Sequence, residues 1–345
     1  MILACVALMV VFGLVQGSKN NKNKIIYVVF CAAILFLYAA LRNPKMNIDI
    51  PGYVKNYNQY VRYSFQQILQ LFSSETKDPT YHMMGWLFSR VFSDAQYWIA
   101  FVGLIYIAAV AIVVLKESEN PLISFILLIA LGHFAFCLSG LRQCLALSFT
   151  MLSYFGIKNK KPLLFILMVL LGSLFHKSAL VFLIVYPIAR TKIGWMHLLT
   201  AVIAGVLFFG FQDSVRDIMA KFLMDTQYEG YIDNEISLTY SGLIIQGAVF
   251  LFCMIYRSKV IAKYKYANVL YNLLFVGLVS QLFSSMIAEF FRITMYFSVF
   301  SIILVPLILS TENNKKVRLL EEVAIILVSV AYMLMTGIPA YSFFW

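Results

Sequence analysis

The chain has 345 residues, of which 62% are hydrophobic and 12% charged, and its formal net charge is +11. A soluble domain carries roughly 45–50% apolar and about 25% charged residues, so this balance excludes a water-soluble globule and indicates a polytopic membrane protein. The apolar runs are continuous rather than alternating, which excludes an outer-membrane barrel and leaves helices as the backbone that satisfies its own hydrogen bonds in lipid.

The N-terminal run MILACVALMVVFGLVQ has no basic leader and no clear cleavage site. It reads as a retained first helix, with a signal peptide as the alternative. Apolar runs of helix length follow at 25–41, 96–115, 121–138, 142–157, 162–175, 178–189, 195–211, 241–256, 267–288, 291–310 and 321–338. The expected fold is thus one all-α polytopic integral membrane domain, 1–345, with about twelve transmembrane helices. Two long connections interrupt it, 42–95 and 212–240. The short helices around Arg142 and around His176 are expected to be tight hairpins or broken helices.

The linkers fall into two alternating sets. One set holds KNNKNK (19–24), KESEN (116–120), KNKK (158–161), RTK (190–192), RSKVIAKYK (257–265) and NKKVR (314–318). Together with the flanking Glu312, Glu321 and Glu322 it contains 16 of the 27 Lys and Arg residues and five of the 16 acids. The other set is balanced in charge and includes both long connections. Excess Lys and Arg in short loops marks the cytoplasmic side. Both termini are therefore expected to be extracytoplasmic. The net charge is a topology signal and carries no inference about nucleic acid.

On this topology the unusual polar residues share the extracytoplasmic face. The first long connection carries Arg42, Asp49 and Tyr53, then DPTYH with Asp78, Tyr81 and His82. Residues 81–92 fit an amphipathic interfacial helix, and a connection of this length is expected to be a lid or a substrate-binding segment. Next is FCLSGLRQCLALSF. Ser139-Gly140 breaks the helix before Arg142, which has no obvious local acid partner. Its guanidinium offers a planar fork of donors to a phosphate, or simply snorkels from a helix end.

LGSLFHKSALVF places His176 beside Lys177. His176 suits a general base taking a proton from a hydroxyl, or an interhelical hydrogen bond, and Lys177 suits an anchor. In SSMIAEFFRITMYFSVF, Glu289 and Arg292 are spaced to pair on one helix face, with Tyr296 one turn on. That Arg is either locally neutralised or a second cation for an anionic substrate. The 212–240 connection mixes six acids with Tyr228, Tyr231 and Tyr240. This composition suits sugar faces as well as a wet loop. His133 and His197 read as core or helix-end residues. The five cysteines all lie in apolar runs without metal spacing, and the chain contains no P-loop, GxGxxG, zinc motif or nucleophile elbow.

At these residues the sequence resembles the EpsG family, a branch of the Wzy-like bacterial polysaccharide polymerases, along most of the chain. The resemblance rests on Arg42, Asp49 and Tyr53 after the second helix, with Asn47 where Gly is usual. It continues through DPTY with Asp78 where Glu is commoner, LRQCLALSF with Arg142, and FHKSAL at 175–180, and ends with Arg292 before Tyr296.

The resemblance implies a GT-C-like glycosyltransferase of the cytoplasmic (inner) membrane that joins oligosaccharide repeats carried on undecaprenyl pyrophosphate. It implies O-antigen, capsule or exopolysaccharide as product, no cofactor and no metal, and a flippase and a chain-length regulator as partners. In that setting Arg142 and Arg292 would stabilise the leaving pyrophosphate. His176 would be the base, with Asp49 as fallback. Arg42, Tyr53, Asp78, Tyr81, Lys177, Glu289 and Tyr296 would hold substrate. The other classes open to this sequence are a flippase or exporter of lipid-linked sugars, a non-catalytic assembly partner and, less well, an integral acyltransferase.

Overall fold

The computed structural model describes the chain except for residues 17–20, 48, 74–75, 190, 212, 216, 219–239, 285–289 and 338–340. Its described residues are helical, with one isolated bridge between Arg42 and Phe343. Helices α1 (Ile2–Gln16) and α2 (Asn21–Ala40) lead to a 3-10 turn, Pro44–Met46. Within the 42–95 connection, the helix expected at 81–92 is present and two more accompany it. The connection folds into three short helices, α3 (Ile50–Tyr60), α4 (Phe65–Ser73) and α5 (Pro79–Ser89). A proline opens α3 and α5, where its missing N–H costs nothing.

Helix α6 (Ala95–Glu117) starts sharply because Asp94 caps it, its Oδ1 accepting from Gln96 N at 2.8 Å. It runs about 35 Å at the standard rise. Asn120 caps α7 (Pro121–Ala130) in the same way. The run expected as one helix at 121–138 then breaks at Gly132, whose φ of 79° is left-handed, before α8 (His133–Cys137). A second break follows at Gly140, which separates α8 from α9 (Leu141–Lys158).

Helices α9 and α10 (Pro162–Phe175) form a close antiparallel hairpin. Gly156 permits the closest approach: a Cβ there would stand 2.6 Å from Phe165 N. At the open end of the hairpin, a Cβ on Gly172 would stand 3.1 Å from Ala146 O. The expected helix at 178–189 is a 3-10 run, Lys177–Ile184, continued by one α turn, α11 (Val185–Ile188).

The chain continues through α12 (Trp195–Gly210), α13 (Ser241–Ile255), α14 (Arg257–Lys263), α15 (Ala267–Phe283), α16 (Phe291–Ser298), α17 (Ser301–Leu309) and α18 (Lys315–Met335). Among the described residues, three helical stretches are long and apolar enough to cross a bilayer: Asn21–Ala40, Ala95–Glu117 and Phe291–Leu309. The pair α13 and α14, bent by 61°, makes a fourth if it counts as one span. The other apolar helices among the described residues run 10–17 residues, shorter than the roughly 20 of a full crossing.

The two sets of linkers segregate. At one end Lys24 Nζ donates to Ser118 O at 2.7 Å, Lys158 pairs with Glu117 at 2.6 Å, and Lys263 Nζ donates to Ser310 O at 2.6 Å. At the other end of α6, Gln96 Nε2 donates to Ala40 O and Arg42 O, and Asn43 N donates to Ser342 O at 2.8 Å. The 42–95 helices, Arg142, His176 and Arg292 lie at this second end.

Candidate functional site

The site is assembled around Asp78. This residue precedes α5 with φ 53° and ψ 60°, a left-handed conformation that Asp tolerates better than most side chains. Its carboxylate does not cap the helix that follows. Instead Asp78 Oδ2 accepts from Arg142 Nη1 at 3.0 Å and from His176 Nδ1 at 3.0 Å. The carboxylate is almost fully buried, and its other oxygen, Oδ1, has no partner among the described residues. A buried carboxylate of this kind persists because both neighbours supply donors.

Each neighbour is placed by a helix break. Arg142 is the second residue of α9, held in position by the Gly140 break. A cation in a helix's first turn faces the positive end of the dipole, and Asp78 offsets that cost. Sequence reading left Arg142 without an acid; the structure supplies one from 64 positions away. His176 ends α10 and starts the 3-10 run in extended backbone, φ −159°. Its Nδ1 faces a carboxylate. The neutral ring is therefore protonated at Nδ1 and presents Nε2 as an acceptor.

A second layer lies alongside. Asp49 precedes α3, accepts from Ser139 Oγ at 3.0 Å, and has Arg292 Nη2 at 3.9 Å. Gln143 Nε2 donates to Arg292 O at 2.7 Å and so ties the start of α16 to α9. The Tyr53 ring lies under the Arg142 guanidinium, 5.9 Å from centroid to Cζ, and meets Tyr81 edge-on. Burial pushes the Tyr53 phenol up, with the Arg142 cation pulling the other way. Burial, reinforced by Arg142 and Arg292, lowers Lys77, although Asp78 opposes this. Lys77 is thus a third cation in the field of the site, and sequence reading passed over it. Its signal was simply its place next to Asp78.

The structure places three of the expected substrate residues in its interior. Arg42 is 1% exposed, and its guanidinium donates to Ala39 O and Leu138 O at 2.8 and 3.0 Å. It braces the root of the 42–95 segment. Tyr81 is also buried, and its hydroxyl accepts from Trp98 Nε1 at 2.8 Å. Tyr296 is buried, with its hydroxyl 3.0 Å from Ser178 Oγ. Both rings are packed inside the protein, each held by its hydroxyl. Lys177 is exposed and joins none of these contacts.

Glu289 and residues 219–239, with Tyr228 and Tyr231, lie outside the described residues. The expected pairing of Glu289 with Arg292 therefore has no description, and the acid seen near Arg292 is Asp49. Among the described residues no group of three His, Cys, Asp or Glu side chains could hold a metal ion.

The site therefore brings Asp78, His176, Arg142, Tyr53, Asp49 and Arg292 to one end of the helices. A histidine acceptor oriented by a carboxylate stands beside guanidinium groups that suit developing negative charge. No curated protein and no solved structure matches the chain. A family comparison does, over residues 3–344, nearly the whole length. Apolar helices and this match agree on membrane character, and the match points to a polysaccharide polymerase-type role. The chain belongs to the EpsG family.

Proposed function

We propose that the protein is a polysaccharide polymerase that joins oligosaccharide repeats carried on undecaprenyl pyrophosphate, at the extracytoplasmic face of the cytoplasmic membrane. The observation that carries this reading is the Asp78 carboxylate shared by His176 and Arg142 in a member of this family. The donor is one lipid-linked repeat. The acceptor is a sugar hydroxyl on a second.

His176 Nε2 takes the proton from the acceptor hydroxyl as that oxygen bonds to the donor's anomeric carbon. Asp78 holds the ring in the required tautomer and stabilises the imidazolium that forms. The bond from the anomeric carbon to the pyrophosphate oxygen breaks, and the electron pair leaves with the lipid pyrophosphate. Arg142 and Arg292 face that growing charge. In this reading the two guanidinium groups do the work a divalent cation does elsewhere. Asp49 positions Arg292 and serves as the alternative base. A single displacement inverts the anomeric centre. Holding two tethered substrates in line supplies much of the acceleration.

The test uses a deletion strain that makes the glycan, complemented with wild type, Arg142→Ala or His176→Ala. Membrane abundance is checked, and lipid-linked glycans are resolved on a gel. The reading expects a ladder from wild type and single repeats from both variants. Normal ladders from both variants at normal abundance would overturn the site. An intact ladder in the deletion strain would overturn the polymerase role in favour of an assembly partner. Repeats held in the cytoplasmic leaflet would favour a flippase.

A further inference from the structure

A second polar feature lies far from Asp78, at the end of the molecule where the basic linkers gather. Lys192, Arg257, Ser258, Ile261, Lys265 and Asn268 line an open cavity of about 450 Å³. Three of the six are cations, and no carboxylate lines the cavity. Among the described residues none of the three forms an ion pair. Arg257 Nε is buried and has no partner there. Like charges brought together around a hollow repel one another unless an anion occupies it. The walls are fixed: Asn268 Nδ2 donates to Thr191 O at 2.5 Å, and Asn272 Nδ2 donates to Thr191 O at 2.8 Å. The cavity is therefore held by the start of α15 against the segment before α12.

Its surroundings are those of a membrane boundary. Helix α14 departs from α13 by 61° at Tyr256, so the basic helix turns aside where the apolar one ends. Ile255, two residues before Arg257, is 78% exposed; Trp195, three after Lys192, is 72% exposed. An exposed indole beside cations at a helix end is typical of the lipid headgroup level. Basic pockets between membrane helices at this depth suit phosphate-bearing headgroups. Helix α15 separates the cavity from the Arg292 end by about 25 Å at the standard rise.

We infer that this cavity binds the phosphate of an anionic glycerophospholipid, with the acyl chains lying along the exposed apolar faces of α12 and α13. Lys192, Arg257 and Lys265 supply the charge, and Asn268 holds the wall. The inference does not rest on the glycosyl-transfer reading, and its test contains no glycan.

Purified full-length protein in micelles is titrated with phosphatidylglycerol, phosphatidylcholine or inorganic phosphate, and the unfolding midpoint is followed. The expected result is a saturable rise with phosphatidylglycerol and none with the other two. Lys192→Gln with Lys265→Gln, both at exposed positions, should weaken the apparent affinity by roughly fivefold per cation removed. Arg257→Gln should weaken it further, and the exposed pair carries the test if that variant does not fold. Lys315→Gln with Lys316→Gln, which changes the same charge outside the cavity, should leave the affinity unchanged. An equal loss in both double variants means diffuse charge and overturns the site, as does an unchanged affinity in the first. A rise with inorganic phosphate equal to that with phosphatidylglycerol overturns the lipid assignment.

Discussion

His176 Nδ1 lies 3.0 Å from Asp78 Oδ2, joining residues 98 positions apart in the chain. A carboxylate in this place fixes which imidazole nitrogen carries the proton. Asp78→Asn keeps the size of the side chain and removes that control. Polymer formation is expected to fall on the order of 10²-fold or more. The double variant with His176→Ala should be no worse than His176→Ala alone, because residues that act as a unit are not additive. Repeat-unit consumption by purified protein in vesicles checks both numbers. Independent, multiplying losses would separate Asp78 from His176.

Arg142→Leu leaves the buried Asp78 carboxylate facing His176 alone. Breaking a buried ion pair costs about 3 kcal/mol, the low end of the usual range because Arg142 is 22% exposed. The variant should unfold at a lower temperature and be depleted from the membrane. Adding Asp78→Asn should restore much of the abundance without restoring activity. Thermal unfolding in detergent and membrane blots measure this.

Gly156→Ala should disturb the α9–α10 hairpin, because the new methyl meets Phe165 backbone at 2.6 Å. A cost of about 1–3 kcal/mol is expected for such overpacking. Gly52→Ala is the contrast. It sits inside α3 with nothing within 4 Å of its would-be Cβ. It should gain roughly 0.5–1 kcal/mol from helix preference alone. Paired unfolding midpoints decide, and opposite signs are expected.

His82 hydrogen-bonds Tyr60, and its Nε2 lies 3.1 Å from Lys77 O. Burial lowers its pKa below the usual 6.5, and the Arg142 cation adds to this. The unfolded chain then takes up the proton first, so stability falls as pH drops below about 6.5 and stops falling once the folded state is also protonated. His82→Gln should flatten the dependence of the unfolding midpoint on pH in that window. An unchanged slope would assign the effect to another group.

Much of the helical framework was legible because apolar runs of helix length are self-evident. The α10 boundaries, 162–175, follow from Pro162 and the polar His176 that ends the run. In the segment 42–95, α5 was anticipated as the helix expected at 81–92, whereas α3 and α4 were not legible. The short elements of this segment are held by tertiary contacts such as Trp86 Nε1 to Tyr63 O and Tyr57 beside Trp98 rather than by a long apolar stripe. For the site, sequence identified Arg142, His176 and Asp78 individually. It could not pair them, because nothing local relates positions 78, 142 and 176. Arg42, Tyr81 and Tyr296 were assigned to substrate because polar and aromatic residues near a membrane face invite it. Only packing reveals that they are enclosed.

Arg142 begins α9 and His176 ends α10, so they form the two tips of one hairpin whose arms touch through glycine backbone at Gly156 and Gly172. Such a hairpin works like a calliper locked at a single opening, since backbone contacts do not slide as side chains do. The gap between the two tips is thus a fixed gauge, and Asp78 from the 42–95 segment bridges it by bonding to both.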